Sequence, residues 1–441
     1  MKILPTIGPE TIKTNNLKYI LKRTNIVRIN SSHNSIAWHK KAISKIKKIN
    51  SSCVILIDFP GVKPRTINYS DTKIKKNQIV TFSFKKTTKK STILLSKPLP
   101  KIINKRFFSL DDGKIIFKTV SFNKNYITGR ALNNCLIKPK KGLNIPNSIY
   151  DNKTQEKTYL KYFKIFEKTK IDAVGLSFIQ NKNIISKLKK KYPDIIFVSK
   201  IENSEGLKNV EEISKYSDAI MIDRGDLSAE VGDENLYDGI NKISIFCKKF
   251  GRPLIMATEN LETFYKNNNP SRNDIVSLGF SKQINSDMIM LSEETALSLR
   301  WKKIFSWLHN FLNIKENNEQ NKYPSDIFWQ ISESVKNYTL VVFSKKGLMF
   351  NKIFQNNINN KVIVFTDTKK TLNLSKYYKN TICIMTKRFD NKNINKFYLS
   401  YLKKYKKIIF AKSNIAFLIA ISFPKKGTTA NSISLIEKQN I

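Results

Sequence analysis

The stretch Ile195-Ile196-Phe197-Val198-Ser199-Lys200-Ile201-Glu202-Asn203-Ser204-Glu205-Gly206 decides the fold. An Ile- and Val-rich run from Ile195 to Lys200 gives way to a polar cluster, and a helical pattern follows, which reads as a strand feeding a helix. Lys200 and Glu202 stand two residues apart, so in extended geometry both project to the same side. The same unit recurs toward the C-terminus at Ala219 to Asp223, Pro253 to Thr258 and Met288 to Ser292. Toward the N-terminus it recurs at Ala173 to Phe178, Cys53 to Asp58, Ile26 to Ile29 and Ile3 to Ile7. Segments such as Lys157 to Lys168, Lys182 to Lys191 and Asn235 to Phe250 are long enough for the crossover helices that parallel strands require. Eight such units predict an α/β protein built on a closed (β/α)8 TIM barrel, residues 1–65 and 142–325.

The interruption at residues 66–141 has another texture. Gln78 to Lys85, Ser91 to Leu95, Lys114 to Val120 and Tyr126 to Leu132 alternate like antiparallel strands, and Asp112-Gly113 is a hairpin signal. This predicts a small inserted β-barrel domain. Beyond a polar break near Asn317 to Asp326, strand-like runs at Thr339 to Phe343, Val362 to Phe365, Thr381 to Met385 and Lys407 to Phe410 predict a C-terminal α/β domain, residues 326–441.

A length of 441 residues with 41% hydrophobic and 26% charged residues describes a globular chain of two or three domains. The longest charge-free apolar stretch, Asn414 to Phe423, is too short to cross a bilayer, and Pro5 and Gly8 interrupt any secretory signal. A cytoplasmic protein without membrane contact is expected. Cys53, Cys135, Cys247 and Cys383 show no paired spacing and read as buried free thiols. With three histidines in the chain, any metal should be hard and oxygen-bound. The net charge of +45 comes from sixty-nine Lys against ten Arg, spread through every domain. A nucleic-acid surface would concentrate Arg and aromatics on one face, so no specific nucleic-acid partner is expected, while anionic small substrates are favoured.

In a (β/α)8 barrel the chemistry lies at the C-terminal ends of the strands. Those ends are Thr6 to Pro9, Arg28 to His33, Asp58 to Gly61, Ser177-Phe178, Ser199 to Asn203, Arg224-Gly225-Asp226, Ala257-Thr258 and Ser292 to Thr295, nearly all polar or Gly-containing. Glu202 and Asp226 end successive strands and offer carboxylates to one divalent cation, which with its waters suits Mg²⁺. Singly, each also reads as a solvated loop acid. Lys200 beside them can neutralise a transferring phosphoryl group. Arg28 offers a forked grip on phosphate, Gly225 a close backbone approach to an anion, and Thr258 a hydroxyl over a substrate.

In this order these segments resemble the pyruvate kinase family, together with Lys141-Gly142-Leu143-Asn144-Ile145-Pro146, Pro270-Ser271-Arg272, Leu291 to Ala296 and the Asp111-Asp112-Gly113 turn of the insertion. The resemblance implies transfer of the phosphoryl group of phosphoenolpyruvate to ADP, giving pyruvate and ATP in glycolysis. By it, Glu202 and Asp226 hold Mg²⁺, Lys200 stabilises the phosphoryl group in flight, Arg28 binds phosphate, and Gly225 and Thr258 line the place where the enolate becomes pyruvate. Asn30, His33, Arg65 and Lys141 match nucleotide contacts, the inserted domain is a lid, and a homotetramer is expected. A monovalent-cation site is implied at Asn30, Ser32, Asp58 and the carbonyl of Phe59. Lys63 stands where K⁺-dependent members carry Glu, so its ammonium is expected to replace K⁺. Ser344 to Gly347 and Gly427 to Asn431 resemble loops around a sugar-phosphate activator.

The chain departs from the family's pattern at several positions. Asp223 replaces a small residue, Ser228 and Glu293 replace glycines, Glu259-Asn260 replaces Gln-Met, and Ser277 and Phe280 replace Asp and Asn. Asp223 and Glu293 add negative charge beside a site for an anionic substrate. Two other readings therefore stand beside the first. One is a catalytically retuned or inactive relative acting on another enolate; the other is a basic binding protein on the same fold, marked by steeply salt-dependent binding to random nucleic acid.

Overall fold

The computed structural model describes residues 1–88, 91–102, 106–313, 335, 337–344, 347, 353–355, 360–389, 393–420 and 432–441. The expected polar break, Lys345-Lys346 and the Gly427 to Asn431 loop lie outside the described residues. Eight parallel strands form one sheet: β1 (Lys2–Pro5), β2 (Ile26–Asn30), β3 (Val54–Phe59), β4 (Ala173–Leu176), β5 (Ile196–Ile201), β6 (Ala219–Asp223), β7 (Leu254–Ala257) and β8 (Met288–Leu291). From β2 to β8 each pairs with the next in chain order, and β8 pairs with β1. The ring closes through a parallel bridge between Thr6 and Arg28, where Ile7 N–H donates to the Arg28 carbonyl at 2.8 Å.

Strand alternation separates two cores. Along β5, Phe197 and Ile201 join the helix layer with Phe163, Leu188 and Ile213, while Ile196 and Val198 join an inner cluster with Leu4, Leu56 and Met221. A period of two then carries Lys200 to the top of the same interior. Tyr338, Leu340, Tyr377 and Tyr378 of the C-terminal domain belong to that inner cluster, so this domain seals the opposite mouth of the barrel. Its sheet runs in the order Thr381–Met385, Lys361–Thr366, Tyr338–Phe343, Ile415–Ala420, Ser432–Glu437, with only the last strand antiparallel. The strand expected at Lys407 to Phe410 is instead a helical turn, Lys406–Ile409, and the chain enters the sheet at Ile415–Ala420. The three-residue apolar run Ile408 to Phe410 carries no periodicity that separates strand from helix.

The insertion between β3 and β4 forms a six-stranded and a two-stranded sheet. Leu110 pairs with Ile115, leaving a four-residue turn in which Asp111, Asp112 and Gly113 have φ of 55°, 54° and 88°. The larger sheet takes in Leu143–Asn144, where the chain returns to the barrel. All four cysteines are free; Cys53 and Cys247 are buried as expected, whereas Cys135 and Cys383 are only half-buried. Among the described residues no helix is long and apolar enough to cross a membrane.

Asp172, just before β4, accepts from Lys47 Nζ at 2.6 Å, Ile55 N–H at 3.1 Å and Asn373 Nδ2 at 3.2 Å, tying two barrel elements to the C-terminal domain. Asp172→Ala leaves Lys47 without its carboxylate and should lower the unfolding free energy by about 3–5 kcal/mol in urea titrations. A loss below about 1 kcal/mol, the scale of a surface pair, would show that this pin is dispensable.

Candidate active site

Asp58, at the end of β3, gathers the neighbouring strand ends. Its Oδ2 accepts from Arg28 Nε at 3.0 Å and Nη2 at 2.7 Å and pairs with Lys200 Nζ at 3.2 Å, while Oδ1 accepts from Ser177 Oγ at 3.2 Å. Arg28 Nη1 donates to Thr6 Oγ1 at 2.9 Å, so the residues of the barrel seam belong to the site. Burial opposes ionisation of Asp58, but Lys200 and Arg28 outweigh it and hold the carboxyl below its ordinary value.

Lys200 Nζ also lies 2.5 Å from Glu202 Oε1 and 3.5 Å from Asp223 Oδ2. Glu202 is fixed from the other side by the Phe178 N–H at 2.7 Å. Lys63, buried, pairs with Asp226 and, at 3.0 Å, with Asp112 of the inserted hairpin. Its stem fills the space that a side chain at position 142 would need, which accounts for Gly142 in the return strand. Five acids thus surround three cations. Burial, with Asp223, Asp226 and Asp58 adding to it, pushes Glu202 up to about 8 against the pull of Lys200. Burial, with Asp112 and Asp223, pushes Asp226 up to about 6 against the pull of Lys63. Carboxylate oxygens of Glu202, Asp223 and Asp226 lie within 4.8 Å of one another. Hard donors this close, carrying surplus negative charge, suit a divalent cation such as Mg²⁺. The whole set lines a cavity of about 550 Å³.

β7 ends in two residues of positive φ, Thr258 at 55° and Glu259 at 50°. A β-branched residue in that region stores strain on the order of 1–3 kcal/mol. The turn aims Thr258 Oγ1 at the end of β6, where it accepts from Arg224 N–H at 3.1 Å and has two acceptors for its one proton, Asp223 Oδ1 at 3.0 Å and the Ala257 carbonyl at 2.8 Å. The Arg224 guanidinium donates to Asn260 Oδ1 at 2.9 Å, to Ser277 Oγ at 2.5 Å and to the Thr258 carbonyl. Two departures from the family pattern, Asn260 and Ser277, therefore hold one buried cation between them. Ser228 donates to Asp233, and Phe280 packs on Tyr237 with ring centroids 5.4 Å apart. Glu259 and Glu293 line the cavity.

Of the remaining residues read from the sequence, Asn30, Ser32, Arg65 and Gly225 line the same cavity. His33 is not among the lining residues; partial desolvation and then the charges of Arg65 and Arg28 hold its ring below its ordinary value. Lys141 Nζ is bound to Asp111 Oδ1 at 2.6 Å, away from the cavity lining. The Phe59 side chain faces the helix layer, packed on Phe163 and Phe166. The ion-pair partners of Lys63 are Asp226 and Asp112, whereas Asp58 is balanced by Arg28 and Lys200. Sequence reasoning took Asp112 for a turn residue, although it reaches the site. It passed over Lys97, Lys114 and Lys161, which line the cavity, because among sixty-nine lysines no spacing marks them.

Fold and site together define a (β/α)8-barrel protein with three clustered carboxylates beside a buried lysine. Residues 1–299 match the family model described as pyruvate kinase, barrel domain. The chain is 29% identical over 307 residues to the pyruvate kinase of Encephalitozoon cuniculi, covering 68% of this chain and 71% of that one. It is 29% identical over 331 residues to the pyruvate kinase of Candida albicans, covering 70% and 65%. To that of Thermotoga maritima it is 25% identical over 463 residues, covering 99% of each. The chain belongs to the pyruvate kinase family.

Behind Asp226, Glu230 is fully buried; Oε1 accepts from Asn144 Nδ2 at 3.3 Å, and Oε2 has no hydrogen-bond partner among the described residues. Burial, with Asp226 adding to it and Lys63 opposing, pushes Glu230 up from 4.5 to about 8. An acid whose pKa is raised on folding costs nothing while both states are protonated, and it destabilises progressively as pH climbs from the unfolded value to the folded one. Glu230→Gln should therefore equal the parent near pH 4.5 and gain a few kcal/mol on it by about pH 8, read from denaturant midpoints. A pH-independent difference would mean that Glu230 is not held as a protonated acid.

Proposed function

We propose that the protein transfers the phosphoryl group of phosphoenolpyruvate to ADP, giving pyruvate and ATP, with Mg²⁺ held by Glu202 and Asp226 and no requirement for K⁺. The observation that carries this reading is Lys200, buried between Asp58 and Glu202 at the strand ends of a pyruvate kinase family barrel. Against burial, Asp58, Glu202 and Asp223 keep its ammonium charged. It can then offset the charge that spreads over the phosphoryl oxygens as the bond to the enol oxygen breaks and the bond to the ADP oxygen forms. Arg28, anchored on Asp58, presents its fork to phosphate. The divalent cation supplies Lewis-acid stabilisation of the enolate and phosphoryl oxygens when bound. Thr258 and Gly225 hold the enolate end, and a proton from water completes pyruvate. Asn30, His33, Arg65 and Lys141 receive the nucleotide. The inserted domain closes as a lid that keeps water from the phosphoryl donor. Independence from K⁺ rests on Lys63, whose ammonium Asp226 and Asp112 hold charged against burial as a fixed monovalent cation, while Asp58 of the implied monovalent-cation site is balanced by Arg28 and Lys200. In this reading the protein serves glycolysis in the cytoplasm as a homotetramer.

The test is pyruvate formation from phosphoenolpyruvate and ADP with Mg²⁺, with and without K⁺, using Lys200→Met as the blank. Turnover without K⁺ is expected, falling by roughly a thousandfold or more in the variant. A many-fold rise on adding K⁺ would remove the role given to Lys63. No turnover in either salt from folded protein would favour the retuned relative, a reading to which the hold of Asp223 on the Thr258 hydroxyl points.

A further inference from the structure

We infer that Asp223 is a third carboxylate ligand of the divalent cation, so that this chain binds the cation tightly before any substrate arrives. The inference rests on the reading that Glu202 and Asp226 hold that cation. Asp223 closes β6, one strand beyond Glu202, and three residues before Asp226 in the first turn of the helix Arg224–Val231. Its carboxylate is buried, at 8% residue exposure, and is set by the Thr258 hydroxyl on Oδ1 at 3.0 Å, which leaves Oδ2 toward Lys200 at 3.5 Å. That longer separation contrasts with the 2.5 Å between Lys200 and Glu202, so Asp223 is the acid that the lysine neutralises least.

Charge counting leads to the same place. Within this ion-pair network, apart from the charged groups elsewhere on the cavity lining, the carboxylates of Asp58, Asp112, Glu202, Asp223 and Asp226 in their cation-binding, ionised form outnumber Arg28, Lys63 and Lys200 by two. One divalent cation balances the difference. Without Asp223 the surplus would be a single charge, and the cation would depend on substrate oxygens to complete its shell, as Mg²⁺ sites with one or two carboxylates do. A third anionic oxygen within 4.8 Å of the other two replaces part of that dependence. It makes the cation part of the resting site, poised for the anionic substrate that the added carboxylate would otherwise repel.

The experiment is binding of Mn²⁺ alone to the full chain without substrate, followed by loss of the free-ion electron paramagnetic resonance signal. Parent, Asp223→Ala, Asp223→Asn and Glu202→Gln would be compared, each checked for native near-ultraviolet circular dichroism. One tight site is expected in the parent. Asp223→Ala should weaken it roughly tenfold or more, and Asp223→Asn, which keeps the shape and one neutral oxygen, by less. Unchanged or tighter binding in both Asp223 variants, with binding lost in Glu202→Gln, would overturn this inference and leave the proposed cation site standing. Binding unaffected by Glu202→Gln would overturn both. Should Asp223→Ala fail to fold, Asp223→Asn decides alone, with parent-like affinity counting against the inference.

Discussion

The site depends on one buried carboxylate. Asp58 takes three contacts from two cations on one oxygen and a serine on the other, and in doing so fixes β2, β5 and the segment after β4 relative to one another. Arg28, which it orients, also forms the bridge that closes the barrel against β1. Removing one member of such a set would leave an opposite charge buried and unpaired, a loss far larger than that of a surface pair. The geometry of the site and the closure of the barrel are therefore held by the same interaction.

Around this hub the chain places its cations where geometry demands a particular kind. Lysine outnumbers arginine almost seven to one, yet Arg28 and Arg224, both buried, remain arginine. Each spreads its guanidinium over acceptors on different elements, which an ammonium on a single point cannot reach. Lysine serves where a point charge suffices: Lys200 among Asp58, Glu202 and Asp223, and Lys63 between the barrel and the hairpin of the insertion. The lysine-rich drift of composition thus stops at positions that need a planar fork.

The barrel was legible because each of its strands is a short Ile- or Val-rich run ending in polar residues, and burial on both faces leaves that pattern little freedom. Lys200, Glu202 and Asp226 were legible because strand ends in such a barrel converge. The strand at Ile415–Ala420 was hidden behind the short apolar run Ile408 to Phe410, which overlaps the Lys406–Ile409 turn. Asp112 looked like turn chemistry, and it is, with φ of 54°; only the folding of the hairpin over the barrel brings its carboxylate to Lys63. Asp223, Asn260 and Ser277 were visible as departures, but a list of substitutions carries no distances.

In space those departures form a chain. Ser277 and Asn260 hold Arg224; Arg224 holds the Thr258 carbonyl and, through its own N–H, the Thr258 hydroxyl; that hydroxyl reaches Asp223. Residues that share partners in this way are coupled, so the effects of substituting them should not simply add. The path runs from Ser277, on the helix Arg272–Gln283, to a carboxylate facing Lys200. The strained backbone of Thr258 is the element that links them, since without its positive φ the hydroxyl could not face both the Arg224 N–H and the Asp223 carboxylate. Asp223, Asn260 and Ser277 are thus linked through Arg224 and Thr258 into one wall of the site, with Lys200 facing Asp223, while Ser228, Glu259, Glu293 and Phe280 lie off that path.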